Sequence, residues 1–224
     1  MAHLDNHLAN LQTERDAAER ALADACLTLT APEVFAEQLP ISAACSILDS
    51  QRIPINESER ASRAGDVPYY GANGQVGWID TPLFNEPLVL LAEDGGPVSE
   101  WRTRPQAYEI EGPSWVNNHA HVLRADGVSH DWLLYSLRHR NLVPFTSGGT
   151  RAKLTQKSLK QMVIGRAEDE TERTGVLRSL DDTQISLSLE IEVAERVRSD
   201  LLSGLLAARI EIPSNYDSLL SGVA

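Results

Sequence analysis

The chain has 224 residues, 42% of them hydrophobic and only 5% aromatic, with 20 Lys and Arg against 32 Asp and Glu for a net charge of −12. No apolar run approaches the roughly 20 residues of a membrane span, and Met-Ala-His-Leu-Asp-Asn-His at the start lacks the basic stretch and apolar core of a signal peptide. Cys26 and Cys45 are too few for a disulfide framework and have no His or Cys at ligand spacing, so the expectation is reduced thiols in a cytoplasmic protein without a bound metal or cofactor.

The charge is uneven. Residues 1–56 carry three basic and eight acidic side chains, 57–166 carry twelve of each, and 167–224 carry five and twelve. All the net negative charge therefore sits in the two ends. Within the neutral middle, the stretch from Trp132 to Ala167 has no acidic residue but holds Arg138, Arg140, Arg151, Lys153, Lys157, Lys160 and Arg166. That pattern predicts a local electropositive surface, for which a phosphate backbone is the natural partner.

In chain order, the first predicted element is a helix over about residues 3–30. Leu4, Leu8, Leu11, Arg15, Ala18, Leu22, Ala25 and Leu29 alternate at spacings of four and three, a heptad seam. Ala31-Pro32 ends it, because proline cannot extend a helix. Strand-like runs follow at 75–79, 87–92, 107–110 and 119–123, separated by Asn73-Gly74, Asp94-Gly95-Gly96, Glu111-Gly112-Pro113 and Asp126-Gly127. Residues 131–140 predict a short amphipathic helix, and Thr155 is placed to cap another over 156–162. A second long seam runs through Leu177, Leu180, Gln184, Leu187, Ile191, Ala194, Arg198, Leu201, Leu205 and Ala208, stopped by Pro213.

The predicted class is α+β: a mixed α/β domain flanked by long N- and C-terminal coiled-coil helices. The expected divisions are a heptad helix at 1–31, a nucleic-acid-binding domain at 32–166, a second long helix for pairing at 167–212 and a tail at 213–224. Residues Leu8, Leu11, Leu22, Leu187, Ile191, Leu201 and Leu205 are expected to pair the helices, within one chain or between chains. Burial of each stripe against the domain is the competing reading.

Four segments carry a resemblance: Tyr-Tyr-Gly-Ala-Asn-Gly at 69–74, Glu-Asp-Gly at 93–95, Val-Asn-Asn-His-Ala-His-Val at 116–122 and Gly-Gly-Thr-Arg-Ala-Lys-Leu-Thr at 148–155. With the Leu-rich helix that follows, they resemble the DNA-specificity subunit of type I restriction–modification systems, over roughly residues 35–210. The resemblance implies a target recognition domain gripping a few base pairs of double-stranded DNA. It also implies a helix that docks methyltransferase subunits, with an endonuclease subunit as a further partner. Full-length relatives have two recognition domains and this sequence holds one, so a half-subunit acting as a homodimer, reading an inverted repeat, is the expectation.

Arg138, Arg140, Arg151, Lys153 and Lys157 are the candidate phosphate contacts, with one or two arginines reaching guanine edges. Tyr70 and Asn73 flank a loop where an amide can read adenine, although Asn73-Gly74 reads equally as a tight hairpin turn. Arg102 and Arg104 beside Trp101 are further DNA candidates. Catalysis is expected from partner chains. His119 and His121 would share a strand face as zinc ligands do, but no third ligand stands at suitable spacing. Gly71 to Gly77 precedes a strand, where nucleotide-binding loops precede helices, and there is no adenine-methyltransferase Asn/Asp-Pro-Pro-Tyr motif. A stand-alone DNA-binding regulator or decoy, and a metal-dependent nuclease built on His119, His121 and Glu93, are the alternatives.

Overall fold

The computed structural model describes residues 2–94, 98–148 and 152–207. In chain order, α1 (Ala2–Thr30) is followed by β1 (Gln38–Pro40), α2 (Ile41–Ala44), β2 (Cys45–Ile47) and α3 (Glu57–Ser62). Six strands come next: β3 (Val67–Gly71), β4 (Gly74–Ile79), β5 (Phe84–Asn85), β6 (Leu88–Ala92), β7 (Ala107–Ile110) and β8 (Pro113–Val116). Then come β9 (Ala120–Ala125), α4 (His130–Arg138), β10 (Thr146–Ser147), β11 (Lys153–Leu154), α5 (Gln156–Leu159), β12 (Val163–Gly165) and α6 (Glu170–Leu206). The α+β class with long flanking helices, expected from the sequence, is the one observed.

The chain divides into two compact units, Met1–Ala18 with Asp182–Ala224, and Glu19–Asp181. Both long helices contribute residues to the larger unit. Leu22 and Cys26 of α1 and Leu177 of α6 are buried in its core with Trp132, Leu133 and Leu159.

The smaller unit is a helix pair. Leu8 and Leu11 of α1 are buried with Ile191 and Ala194 of α6, and Leu187 packs against them. Arg198 donates from Nε to Asp5 at 2.6 Å, but both side chains are nearly half exposed, so the pair adds little. Along another line of α6, Ile185, Leu189, Val193 and Val197 recur every fourth residue and are exposed.

The larger unit is built on a four-stranded sheet of order β2-β9-β6-β7, all neighbours antiparallel. Its central strand β6, Leu-Val-Leu-Leu-Ala, is buried throughout. Period-two alternation is absent there because both faces are covered. Val89 and Leu91 join the cluster that includes α4, while Leu88 and Leu90 join Phe84, Val116 and Val122. Helix α4 is started by Ser129, whose hydroxyl accepts from the Trp132 amide, and it buries Trp132, Leu133, Leu134, Tyr135 and Leu137. The Trp132 indole N–H finds the Gly165 carbonyl of β12 at 2.8 Å, so this large buried side chain leaves no polar atom unpaired.

A second four-stranded sheet has the order β4-β3-β8-β5, with β3 and β8 parallel. The β3–β4 hairpin turns at Ala72-Asn73, and Gly74 takes a φ of 116°, a conformation that costs glycine nothing. Strands β1 and β12 pair antiparallel, as do β10 and β11. Gly127, just after β9, lies so close to α2 that an added Cβ would sit 1.9 Å from the Ala43 carbonyl oxygen.

Candidate nucleic-acid interface

The described residues of the four sequence segments singled out above are linked near the ends of β3, β6, β9 and β11. Asn117 links the first and third: its amide donates to the Tyr70 carbonyl at 3.0 Å, and its Oδ1 accepts from the His119 amide at 2.8 Å. Glu93 donates its amide to the His119 carbonyl at 2.9 Å and accepts the Leu154 amide at 2.8 Å. Asp94 and Lys153 form an isolated antiparallel bridge. Asn117 and Glu93 thus tie otherwise separate loops by backbone bonds, which fix position without reference to side-chain rotamers.

Beneath this rim lies a charged cluster. His121 is 1% exposed; its Nδ1 faces Asp49 Oδ2 at 2.6 Å and its Nε2 faces the Leu154 carbonyl at 2.8 Å. Arg52 donates to Glu93 at 2.8 Å and to the Ala120 carbonyl at 2.5 Å, and lies 3.5 Å from Asp49. Burial opposes ionisation of Asp49, yet the His121 ring, the Val122 amide and Arg52 hold its carboxyl below the ordinary range. Lys153 Nζ lies 2.9 Å from the other Glu93 oxygen and 3.9 Å from Asp94, which also bonds the His119 ring.

Asp49, Glu93 and His121 present ligand-type atoms within 4.8 Å of one another. Their chemistry does not suit a metal ion. Both nitrogens of His121 already face oxygen acceptors, and Arg52 and Lys153 neutralise the carboxylates. A cation would have to displace these groups and compete with their charge. His119 is bonded to Asp94, so the residues of the alternative nuclease reading, His119, His121 and Glu93, instead share in a polar network of hydrogen bonds and ion pairs.

The electropositive surface read from residues 132–167 needs correction. Acids absent from that stretch of sequence reach it through the fold. Arg138 makes a two-pronged pair with Asp181 of α6, at 2.6 and 2.8 Å, with side chains 16% and 3% exposed. The pair makes it an internal tie between α4 and α6. Lys153 is held by Glu93, and Arg166 lies 3.4 Å from Glu37. Arg140 is half-buried; burial pushes its guanidinium below the usual range while the Glu33 charge opposes that shift. It lines a cavity of about 300 Å³ with Trp101, His139 and Phe145. Lys157, on α5, is exposed and enters none of the described ion pairs. Arg151 lies outside the described residues.

The other candidates are placed as follows. Tyr70 is half-buried with its ring 6.2 Å from that of Tyr108, and Asn73 is exposed at the hairpin tip. Arg102 stacks over Trp101 at 4.5 Å, and Arg104 is exposed 3.8 Å from Glu100. Leu8, Leu11, Leu187 and Ile191 come together in the helix pair. Leu22 belongs to the domain core, and Leu201 and Leu205 lie outside the buried helix cluster. Sequence reasoning missed Asp49, Arg52 and Asp181. Only the Asp-x-x-Arg spacing at 49–52 carried a local signal, and Asp181 looked like one more solvated acid on a helix.

No family model matches the chain. A curated Haemophilus influenzae protein, named as a candidate type I restriction enzyme specificity subunit, is 34% identical over 132 residues, covering 57% of this chain and 32% of the relative. The crystal structure of a type I restriction–modification S subunit from M. genitalium superposes with a TM-score of 0.66 at 14% identity, over 90% of this chain and 57% of that one. The S subunit of Thermoanaerobacter tengcongensis gives 0.52 at 14% identity, over 91% and 56%. At that identity the two structures speak for the fold. The chain spans about a third of the curated relative and just over half of each solved chain. The chain is thus similar by sequence, over 132 residues, to a protein named as a type I restriction specificity subunit, and it shares the fold of two solved S subunits over nine-tenths of its length.

Proposed function

We propose that this chain is the DNA-reading, non-catalytic subunit of a type I restriction–modification enzyme in the cytoplasm. Its mixed domain grips double-stranded DNA. Its helices dock methyltransferase subunits, which supply the chemistry, and an endonuclease subunit is the further partner. The 132-residue match to a relative of that name carries the reading, and the fold likeness supports it. Among the DNA candidates, exposure supports Asn73, Lys153 and Lys157, with Arg102 on its Trp101 platform. Lys and Arg of this kind hold phosphates, and an exposed amide at a hairpin tip suits an adenine edge.

Two copies would read a target in two parts. The exposed row Ile185, Leu189, Val193 and Val197 on α6 supports this, since an apolar line at helical spacing suits a second helix. The test is a methylome. The chain is co-expressed with a type I methyltransferase subunit from the same genome in a host without adenine methylation, and modified adenines are mapped. A two-part inverted-repeat motif that vanishes when this chain is omitted is the expected result. An asymmetric motif would replace the homodimer with two different reading domains. The absence of any motif would leave the regulator or decoy.

A further inference from the structure

The proposed function gives no task to the buried half of the motif cluster, because side chains so far from solvent do not touch DNA. His121 is 1% exposed and Leu154 is fully buried, whereas Lys153, one residue earlier, keeps 47% of its side chain exposed. Strand β11 consists of Lys153 and Leu154 alone, far too short to hold its own register. It is fixed from three sides: by pairing with β10, by the Leu154 amide on the Glu93 carbonyl, and by the Leu154 carbonyl on His121 Nε2. Asp49 stands behind the imidazole at 2.6 Å and sets the ring plane, while Arg52 binds both Asp49 and Glu93 and joins the two anchors.

We propose that His121 is a positioning residue for DNA binding, holding β11 so that Lys153 points from the rim with its ammonium pre-set. Glu93 takes one of the three ammonium donors, leaving two for phosphate oxygens. A lysine already held in place loses less freedom on binding than a loose one. The inference rests on the reading of this chain as DNA-binding.

The experiment uses the full chain in complex with its methyltransferase subunit and a fluorescent duplex carrying the methylated motif. Affinity is measured across a salt series for wild type, H121Q, K153Q, the H121Q/K153Q double variant and K157E. Each phosphate contact contributes about 0.9 to the slope of log affinity against log salt, roughly eightfold in affinity between 1 M and 0.1 M. The expected result is that H121Q and K153Q each lower the slope by about 0.9 and that the double variant is no worse than K153Q alone. A merely structural histidine would reduce the fraction of active protein, leave the slope intact and add to K153Q. Either an unchanged slope in H121Q or additivity overturns the proposal, and so does K153Q binding as wild type does. If wild type fails to bind, the DNA reading itself falls; if K157E weakens binding while H121Q does not, only the role of His121 falls. Should H121Q not fold, D49N, which loosens the ring and keeps the side-chain shape, is judged by the same slope and the same cycle.

Discussion

Replacing Arg138 by methionine separates a structural cation from a DNA-binding one. The substitution keeps the aliphatic stem and removes the guanidinium. Among the described residues, Asp181, 2% exposed, would retain the Tyr135 hydroxyl, 3.2 Å from Oδ2, as its one side-chain partner. An uncompensated buried carboxylate costs about 3–5 kcal/mol. In a domain of this size, at about 2–4 °C per kcal/mol, the melting temperature should fall by roughly 6–20 °C. In urea, with a slope of about 2 kcal/mol/M, the midpoint should fall by about 2 M with the slope unchanged. Adding D181L, which removes the stranded charge, should restore most of the loss, because an apolar pair can replace a buried ion pair at little cost. Well below its melting temperature, R138M should keep the wild-type salt dependence of DNA binding. A loss under about 1 kcal/mol, or full stability with a salt slope reduced by about 0.9, would refute the assignment and return Arg138 to the phosphates.

Three further outcomes follow from the structure. Burial pushes the thiols of Cys26 and Cys45 up to about 12, so at pH 8 a chromogenic disulfide reagent should leave both unmodified until urea unfolds the domain; rapid reaction of either native thiol would contradict their burial. The Glu109 carboxyl is held down to about 2, first by the His130 ring N–H and, against the cost of burial, by Arg178 as well. Its folded value lies below the ordinary 4.5, so the stability it contributes is complete above pH 4.5 and is lost as pH falls toward 2; urea midpoints of E109Q should show a shallower fall over that window, and an equally steep one would remove Glu109 as a cause. In the helix pair, Ile191 is 6% exposed and Leu201 38%. I191D should therefore cost at least about 2 kcal/mol and lower the helical circular dichroism, whereas L201D should leave both nearly unchanged; the reverse order would shift the seam.

Legibility in the sequence followed the range of the interactions involved. The long helices were readable because their apolar periodicity is local, and α1 ends within two residues of Pro32 for a reason contained in proline itself. The runs at 75–79, 87–92, 107–110 and 119–123 were readable as strands, being bounded by turn residues. Strands β1, β2, β8 and β12 were not, since each has only three or four residues and is made a strand by a distant partner: Gln38 pairs with Gly165, and Cys45 with Ala125. The division of labour along the helices was equally hidden. Leu22 and Leu8 occupy equivalent seam positions, yet one faces the domain core and the other the helix pair, a choice set by the domain folding beside α1.

Charge shows the limit most sharply. The acid-free stretch from Trp132 to Ala167 is a fact of the sequence, but electrostatic pairing depends on distance in space, with energies falling as 1/r and screened over about 10 Å. Asp181 lies 43 residues beyond Arg138, and Glu93 lies 60 residues before Lys153, yet both reach within 3 Å. Folding therefore turns an apparent basic surface into a smaller set of exposed cations above a neutralised interior. Of the acids that make it so, Asp181 stands outside the four quoted segments, and Glu93 stands in a different one from Lys153. A cation whose counter-charge is buried with it, as Arg138 is, serves the fold; Lys157, exposed and in no ion pair among the described residues, is of the other kind. Exposure after pairing, which no local window of sequence contains, is the criterion that separates the two.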